Sequence, residues 1–181
     1  MGIGLDEVML TGDSAGAQLA LLTWAIGQRP ELQKLFEVTP VNFRVKCICL
    51  THAVCFLDDA ANVSGSRTLS DIGQTGLLRQ LFGQNYETDP IYLSVNTPAK
   101  YLKGIEVPSV MIMTSQGDTA FSYQSERLRQ TLKRLKIKAD YYFEPDRKAA
   151  HVFNILDPHS KLGKKFNQAI HDFFKRVPTP A

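Results

Sequence analysis

Apolar and polar positions along the chain alternate between two periods. Val8-Met9-Leu10 and Val45-Lys46-Cys47-Ile48-Cys49-Leu50 are apolar runs of strand length. Val110-Met111-Ile112-Met113-Thr114 is a third and ends at Gln116-Gly117-Asp118, and Ala139-Asp140-Tyr141-Tyr142-Phe143 is a fourth. Between them the spacing becomes helical. One helix starts near Ala15 and fades at Gly27, and Pro30 to Phe36 is a short helical turn opened by proline. Leu128, Leu132 and Leu135 recur at helical spacing in a helix from about Ser122 to Lys136. From Lys161 to Lys175, Leu162, Phe166, Ala169, Ile170 and Phe173 share one face, as suits a helix packed on a sheet, and Val177-Pro178-Thr179-Pro180 stops it.

Residues 58–105 have a different texture. Glycine, serine, asparagine and threonine punctuate short apolar pieces such as Gly76 to Gly83 and Pro98 to Leu102. The expectation there is a small helical cap inserted into a single domain spanning residues 1–181. Strands alternating with helices define an α/β protein, a mostly parallel sheet with helices on both faces. In such sheets reactive groups gather at the carboxyl ends of strands. Ser14, Asp118 and His151 all fall just after predicted strands.

The sharpest local signal is Thr11-Gly12-Asp13-Ser14-Ala15-Gly16, set between the Val8 strand and the helix through Gln18-Leu19-Ala20-Leu21-Leu22. Gly-x-Ser-x-Gly at a strand-to-helix turn is a nucleophile elbow. Gly12 and Gly16 lack Cβ atoms, so strand and helix can approach closely, and the serine takes a strained backbone conformation. Its hydroxyl then sits at the positive end of a helix, where developing negative charge is favoured. A plain N-cap serine is the competing explanation.

A serine hydroxyl is a weak nucleophile at neutral pH. It needs a base, usually histidine, and the imidazole needs a carboxylate to orient it. The order Ser14, Asp118, His151 is the one expected of an elbow fold. Asp58 and Asp59 compete for the acid, because they follow the Cys47 strand, although an aspartate pair in a loop is more often a turn or a cap. His52 follows the same strand and competes for the base. His159 and His171 lie near or in the last helix, with His171 facing solvent.

Composition changes this picture little. The chain has 181 residues, 44% hydrophobic and 22% charged, with a net charge of +3. That is the profile of one soluble globular domain. Arg127 to Lys136 carries much of the positive charge, but its leucine spacing makes it the wet face of an amphipathic helix rather than a nucleic-acid surface. The 3 cysteines, Cys47, Cys49 and Cys55, lack a paired Cys-x-x-Cys and are expected as reduced, buried thiols with no metal site and no disulfide framework. No apolar run reaches membrane-spanning length, and residues 1–10 lack the plan of a signal peptide. A cytoplasmic protein is expected.

Taken together, Gly12-Asp13-Ser14-Ala15-Gly16, the Pro108 strand ending in Gly117-Asp118, and His151-Val152-Phe153 resemble the C-terminal part of an α/β-hydrolase of the hormone-sensitive-lipase-like and acetylesterase-like carboxylesterases. The resemblance implies cofactor-free hydrolysis of small acyl esters. Ser14 would attack, His151 would carry the proton, Asp118 would hold the imidazole, and the Ala15 N–H would donate to the oxyanion. It also implies a deviation. A complete member has roughly a hundred or more residues before its elbow, including a glycine-rich oxyanion loop. No His-Gly-Gly-Gly-like run occurs in this sequence. The expectation is a partial fold, a truncation or one part of an assembly, with the Val8 strand left as an edge that a second copy could cover. A catalytically impaired fragment or a non-catalytic interaction module, needing a partner to complete sheet and oxyanion hole, is the alternative. The same triad acting on thioesters or peptides is a closer variant.

Overall fold

In the computed structural model the described residues are 7–40, 44–58 and 74–178. They form four parallel strands: β1 (Val8–Asp13), β2 (Val45–Thr51), β3 (Ser109–Ser115) and β4 (Ala139–Glu144), in the order β1-β2-β3-β4. The helices are α1 (Ala15–Gln28), α2 (Pro30–Leu35), α3 (Gln74–Phe82), α4 (Pro90–Val95), α5 (Pro98–Leu102), α6 (Ser122–Arg134), α7 (Phe153–Leu156) and α8 (Lys161–Arg176), with a 3-10 turn at Tyr86–Thr88.

The order explains the layers. Strands that advance in one direction with right-handed crossovers leave their connecting helices on one face. Accordingly Leu21 of α1 and Leu128 and Leu132 of α6 share one core with Ile48, Leu50, Val110 and Ile112 of the sheet. Successive strand residues point to opposite faces, so Cys47, Cys49, Met111 and Met113 look the other way and pack on Phe166 and Phe173 of α8. β2 is buried at all 7 positions, because it has strands on both sides and helices on both faces. β1 is only part-buried, with Thr11 exposed, and no described strand pairs with its outer side.

This arrangement agrees with the α/β expectation of helices on both faces, and most boundaries fall within a residue or two of the sequence reading. The short α7 was not anticipated. Its four residues carry no periodicity to find.

The stretch expected as a cap is described from residue 74 onward, while Asp59 and its neighbours to residue 73 lie outside the described residues. Leu78, Tyr86 and Tyr92 form a small cluster of their own against Phe82 and Leu57. Val95, Tyr101 and Leu102 belong to the main core instead. Side chains of α1 and the turn after it hold this segment by its carbonyls. Gln18 Nε2 donates to Val95 at 3.1 Å, Trp24 Nε1 to Glu106 at 3.0 Å, and Arg29 Nε to Tyr101 at 2.8 Å. Arg29 Nη2 also donates to the Lys103 carbonyl.

Glu144 ends β4 as a buried carboxylate. Burial alone would push its carboxyl up. Lys165 at 2.8 Å, the Tyr142 hydroxyl and the Asp146 N–H outweigh burial and hold it below the usual range. A depressed folded-state value stabilises the fold above the ordinary carboxyl range and ceases to do so as pH falls through it. Glu144→Gln should therefore destabilise the protein at neutral pH by about 1–3 kcal/mol. In urea denaturation the gap between variant and parent should close as the buffer is taken into the acid range.

Candidate active site

The turn between β1 and α1 is built around one contact. A Cβ on Gly12 would lie 2.0 Å from the Gly16 carbonyl oxygen and 2.7 Å from the Ala17 nitrogen. Any side chain at residue 12 would push helix and strand apart. Gly16 differs from expectation, since a Cβ there would meet nothing within 4 Å. Its part in the close approach is its carbonyl, not its missing side chain. Ser14 lies between them at φ 57, ψ −121, and its side chain makes no capping hydrogen bond. The plain N-cap alternative therefore does not describe Ser14. Its backbone is tied to the neighbouring strand end, with Ser14 N–H donating to Thr51 O at 3.0 Å and Val54 N–H to Ser14 O at 3.1 Å. Ala15 is the first helical residue and is exposed. A first-turn N–H has no acceptor within its own helix.

Asp118 follows β3 and is 1% exposed. Its Oδ1 accepts from the Phe121 N–H at 3.0 Å. Its Oδ2 lies 2.9 Å from His151 Nδ1. A carboxylate only accepts, so Nδ1 carries the proton and Nε2 presents its lone pair. Ser14 Oγ, 2.9 Å from Nε2, donates to it. The loop bearing His151 comes close to the β3 turn because Gly117 permits it: a Cβ there would sit 2.5 Å from the carbonyls of Ala149 and Arg147. Val152, next to His151, adopts φ 55, a region that β-branched residues enter only under constraint. The imidazole also tilts against the Phe121 ring, 4.6 Å between centroids.

The structure thus brings Ser14, His151 and Asp118 into one hydrogen-bonded line, with Ala15 next to Ser14 in the chain. The rival candidates stand apart. Asp58 pairs with Arg127 at 3.0 Å. His159 and His171 are exposed, and His171 Nδ1 accepts from Gln168 Nε2 at 3.2 Å. His52 is fully buried behind the line and does not touch Ser14 Oγ. No cluster of His, Cys, Asp and Glu among the described residues could hold a metal.

The cysteines do not compete as nucleophiles. Burial pushes the Cys47 thiol up to about 11, and burial followed by the charges of Cys47 and Asp13 pushes Cys49 up to about 12. Burial likewise raises Cys55. A thiol held protonated attacks poorly.

Sequence reasoning missed several supporting groups. Gln124 is fully buried, and its Oε1 accepts from the N–H groups of both Cys55 and Phe56 at 3.0 Å, holding the loop after β2. Thr51 Oγ1 donates to Asp13 Oδ2 at 2.7 Å. Ser115 Oγ donates to Ala149 O at 2.6 Å. Asp13 was visible inside the elbow and Ser115 at a strand terminus, but nothing in the local pattern marks Gln124.

No protein-family model and no curated protein matches the chain. Solved structures do. Esterase B from Lactobacillus rhamnosis (HN001) is 29% identical, superposes with a TM-score of 0.85, and aligns over 96% of this chain and 54% of its own. Esterase B with a C4–C4 SN3 tributyrin phosphonate inhibitor gives 28% identity, a TM-score of 0.81 and coverage of 96% and 53%. The acylaminoacyl peptidase of Pyrococcus horikoshii, at 18% identity, a TM-score of 0.65 and coverage of 97% and 24%, shares the fold. The chain therefore has the α/β-hydrolase fold, and its structural neighbours include esterases. It spans about half the length of the esterase it resembles.

The glycine contacts yield a paired expectation. Gly12→Ala should destabilise the protein by about 1–3 kcal/mol through overpacking. Gly16→Ala, in open space within a helix, should be neutral or stabilising by roughly 0.5–1 kcal/mol. Urea denaturation of the two variants checks the difference in sign.

Proposed function

We propose that the protein is a serine hydrolase that cleaves carboxylic esters through an acyl-enzyme. The observation that carries this reading is the hydrogen-bonded line from Ser14 Oγ through His151 to Asp118, with 2.9 Å at both links. Ser14 Oγ attacks the ester carbonyl carbon as its proton passes to His151 Nε2. The buried Asp118 carboxylate keeps the proton on Nδ1 and stabilises the imidazolium that forms. The Ala15 N–H, reinforced by the α1 dipole, donates to the oxyanion. His151 then protonates the departing alkoxide, and a water activated by the same imidazole releases the acid. The chemistry needs no cofactor.

Esters with short acyl groups are the substrate class we favour, because the esterase of similar fold was solved with a tributyrin phosphonate. The interaction-module alternative has less support, since a non-catalytic module has no use for a carboxylate, imidazole and hydroxyl aligned to move a proton. We further propose that the outer side of β1, along residues 8–11, is a pairing edge for a second copy. An edge with no partner strand among the described residues, bearing part-buried Val8, Met9 and Leu10, invites such an addition. Free, buried thiols suit a reducing compartment, and we place the protein in the cytoplasm. Among the described residues no helix is long and apolar enough to cross a membrane.

A fluorophosphonate probe and a short-chain p-nitrophenyl ester test the main reading. The intact chain should label and turn over, and Ser14→Ala should do neither. Asp118→Asn should lower kcat by about 10⁴-fold with KM little changed. An intact, folded protein that neither labels nor hydrolyses overturns it. Light scattering should give twice the chain mass, and a monomer at all concentrations overturns the pairing edge.

A further inference from the structure

A second buried row of polar side chains runs behind Ser14 and His151 without using either side chain. His52 follows β2 directly at φ 47 and is completely buried. Its Nδ1 lies 3.5 Å from Asp13 Oδ1, and its Nε2 lies 3.4 Å from Ser115 Oγ. Thr51 Oγ1 donates to the other Asp13 oxygen at 2.7 Å. Ser115 Oγ donates to the carbonyl of Ala149, at 2.6 Å. One end of this row is therefore the residue before Ser14. The other is the loop that delivers His151.

The hydrogens can be counted. Ser115 has one hydroxyl hydrogen, and the short bond to Ala149 O takes it. His52 Nε2 must then be the donor toward Ser115 Oγ. On the other side, Asp13 Oδ1 and His52 Nδ1 are buried without a hydrogen-bond partner and lie 3.5 Å apart. The ring thus has a polar neighbour at each nitrogen, Asp13 on one side and Ser115 on the other. The ring is clamped as well. It stacks on Phe166 at 5.3 Å and meets the His151 ring edge-on at 5.5 Å. A core imidazole included only for packing would not need polar partners at both nitrogens.

We propose that Asp13, His52 and Ser115 form a positioning relay that sets the separation of the serine elbow and the His151 loop. This rests on the hydrolase reading above. None of the three touches the reacting atoms. Asp13 acts through the backbone of Ser14, and Ser115 acts through the Ala149 carbonyl. Without the relay that carbonyl is released, and His151 can drift from Ser14 Oγ. A misplacement of about 1 Å can cost on the order of 100-fold in rate.

The test compares Ser115→Thr with Ser115→Val, which match in size while only the first keeps a hydroxyl. Asp13→Asn, which keeps the shape of the elbow, is the second variant should the valine fail to fold. For each, kcat and KM on a p-nitrophenyl ester and the imidazole ¹H–¹⁵N signals of His151 are measured. With a working relay, Ser115→Thr stays near the parent. Ser115→Val and Asp13→Asn lose about 10–100-fold in kcat at unchanged KM, and their His151 Nδ1 proton signal shifts. Equal kcat for threonine and valine, or an active Asp13→Asn with parental His151 signals, overturns the relay. A folded parent without turnover overturns the hydrolase reading instead. The His151 signals alone then decide the relay, and identical spectra in the threonine and valine variants reject it.

Discussion

The Gly16 carbonyl occupies the space that a side chain at residue 12 would need. This backbone-to-backbone contact lets β1 turn into α1 within a single residue. It forces Ser14 into a positive-φ conformation and lifts its hydroxyl clear of the helix. The remaining geometry is arranged around that point. The parallel order of strands brings the ends of β1, β2 and β3 side by side, so turns far apart in the chain share one rim. Gly117 repeats the device on the acid side, where its bare Cα admits the carbonyls of the loop that presents His151.

Much of this was legible in the sequence, for identifiable reasons. The inner strands are nearly continuous apolar runs because a parallel sheet covered on both faces has no wet side. The burial of every β2 position is the physical counterpart of that pattern. The amphipathic α8 was equally plain from its phenylalanine spacing. The order of Ser14, Asp118 and His151 could also be seen, although their meeting depends on the sheet order, which no local window contains. What stayed hidden is tertiary. Gln124 looks like a surface residue of a basic helix, yet it is fully buried under the loop after β2. His52 resembled a rival base, and only coordinates show it turned toward Asp13 and Ser115. Gly16 was assigned the wrong physical role, because the motif marks both glycines alike while only one faces an occupied space.

Three of the positive-φ non-glycine residues cluster at the rim, while Glu37 and Lys136 close α2 and α6 elsewhere. Ser14, His52 and Val152 all adopt positive φ, and each adjoins the Ser14–His151–Asp118 line or the buried row behind it. Non-glycine residues hold such conformations only where surrounding contacts over-determine them. Here the contacts are identifiable: the Thr51 carbonyl for Ser14, the Met113 carbonyl for the His52 N–H at 2.8 Å, and the short turn of α7 for Val152. β2, buried throughout, and β3, buried at every position but Ser109, anchor the rim.

Bonds from α1 and the turn after it tie the end of α4 and the segment that follows to the elbow helix. Gln18, Trp24 and Arg29 grip carbonyls between Val95 and Glu106, and α1 begins directly after Ser14. Swinging that segment outward as a hinged flap would tear three or more of these grips and drag on the very helix that steadies Ser14. That segment is therefore a fixed wall beside Ser14 rather than a hinged one.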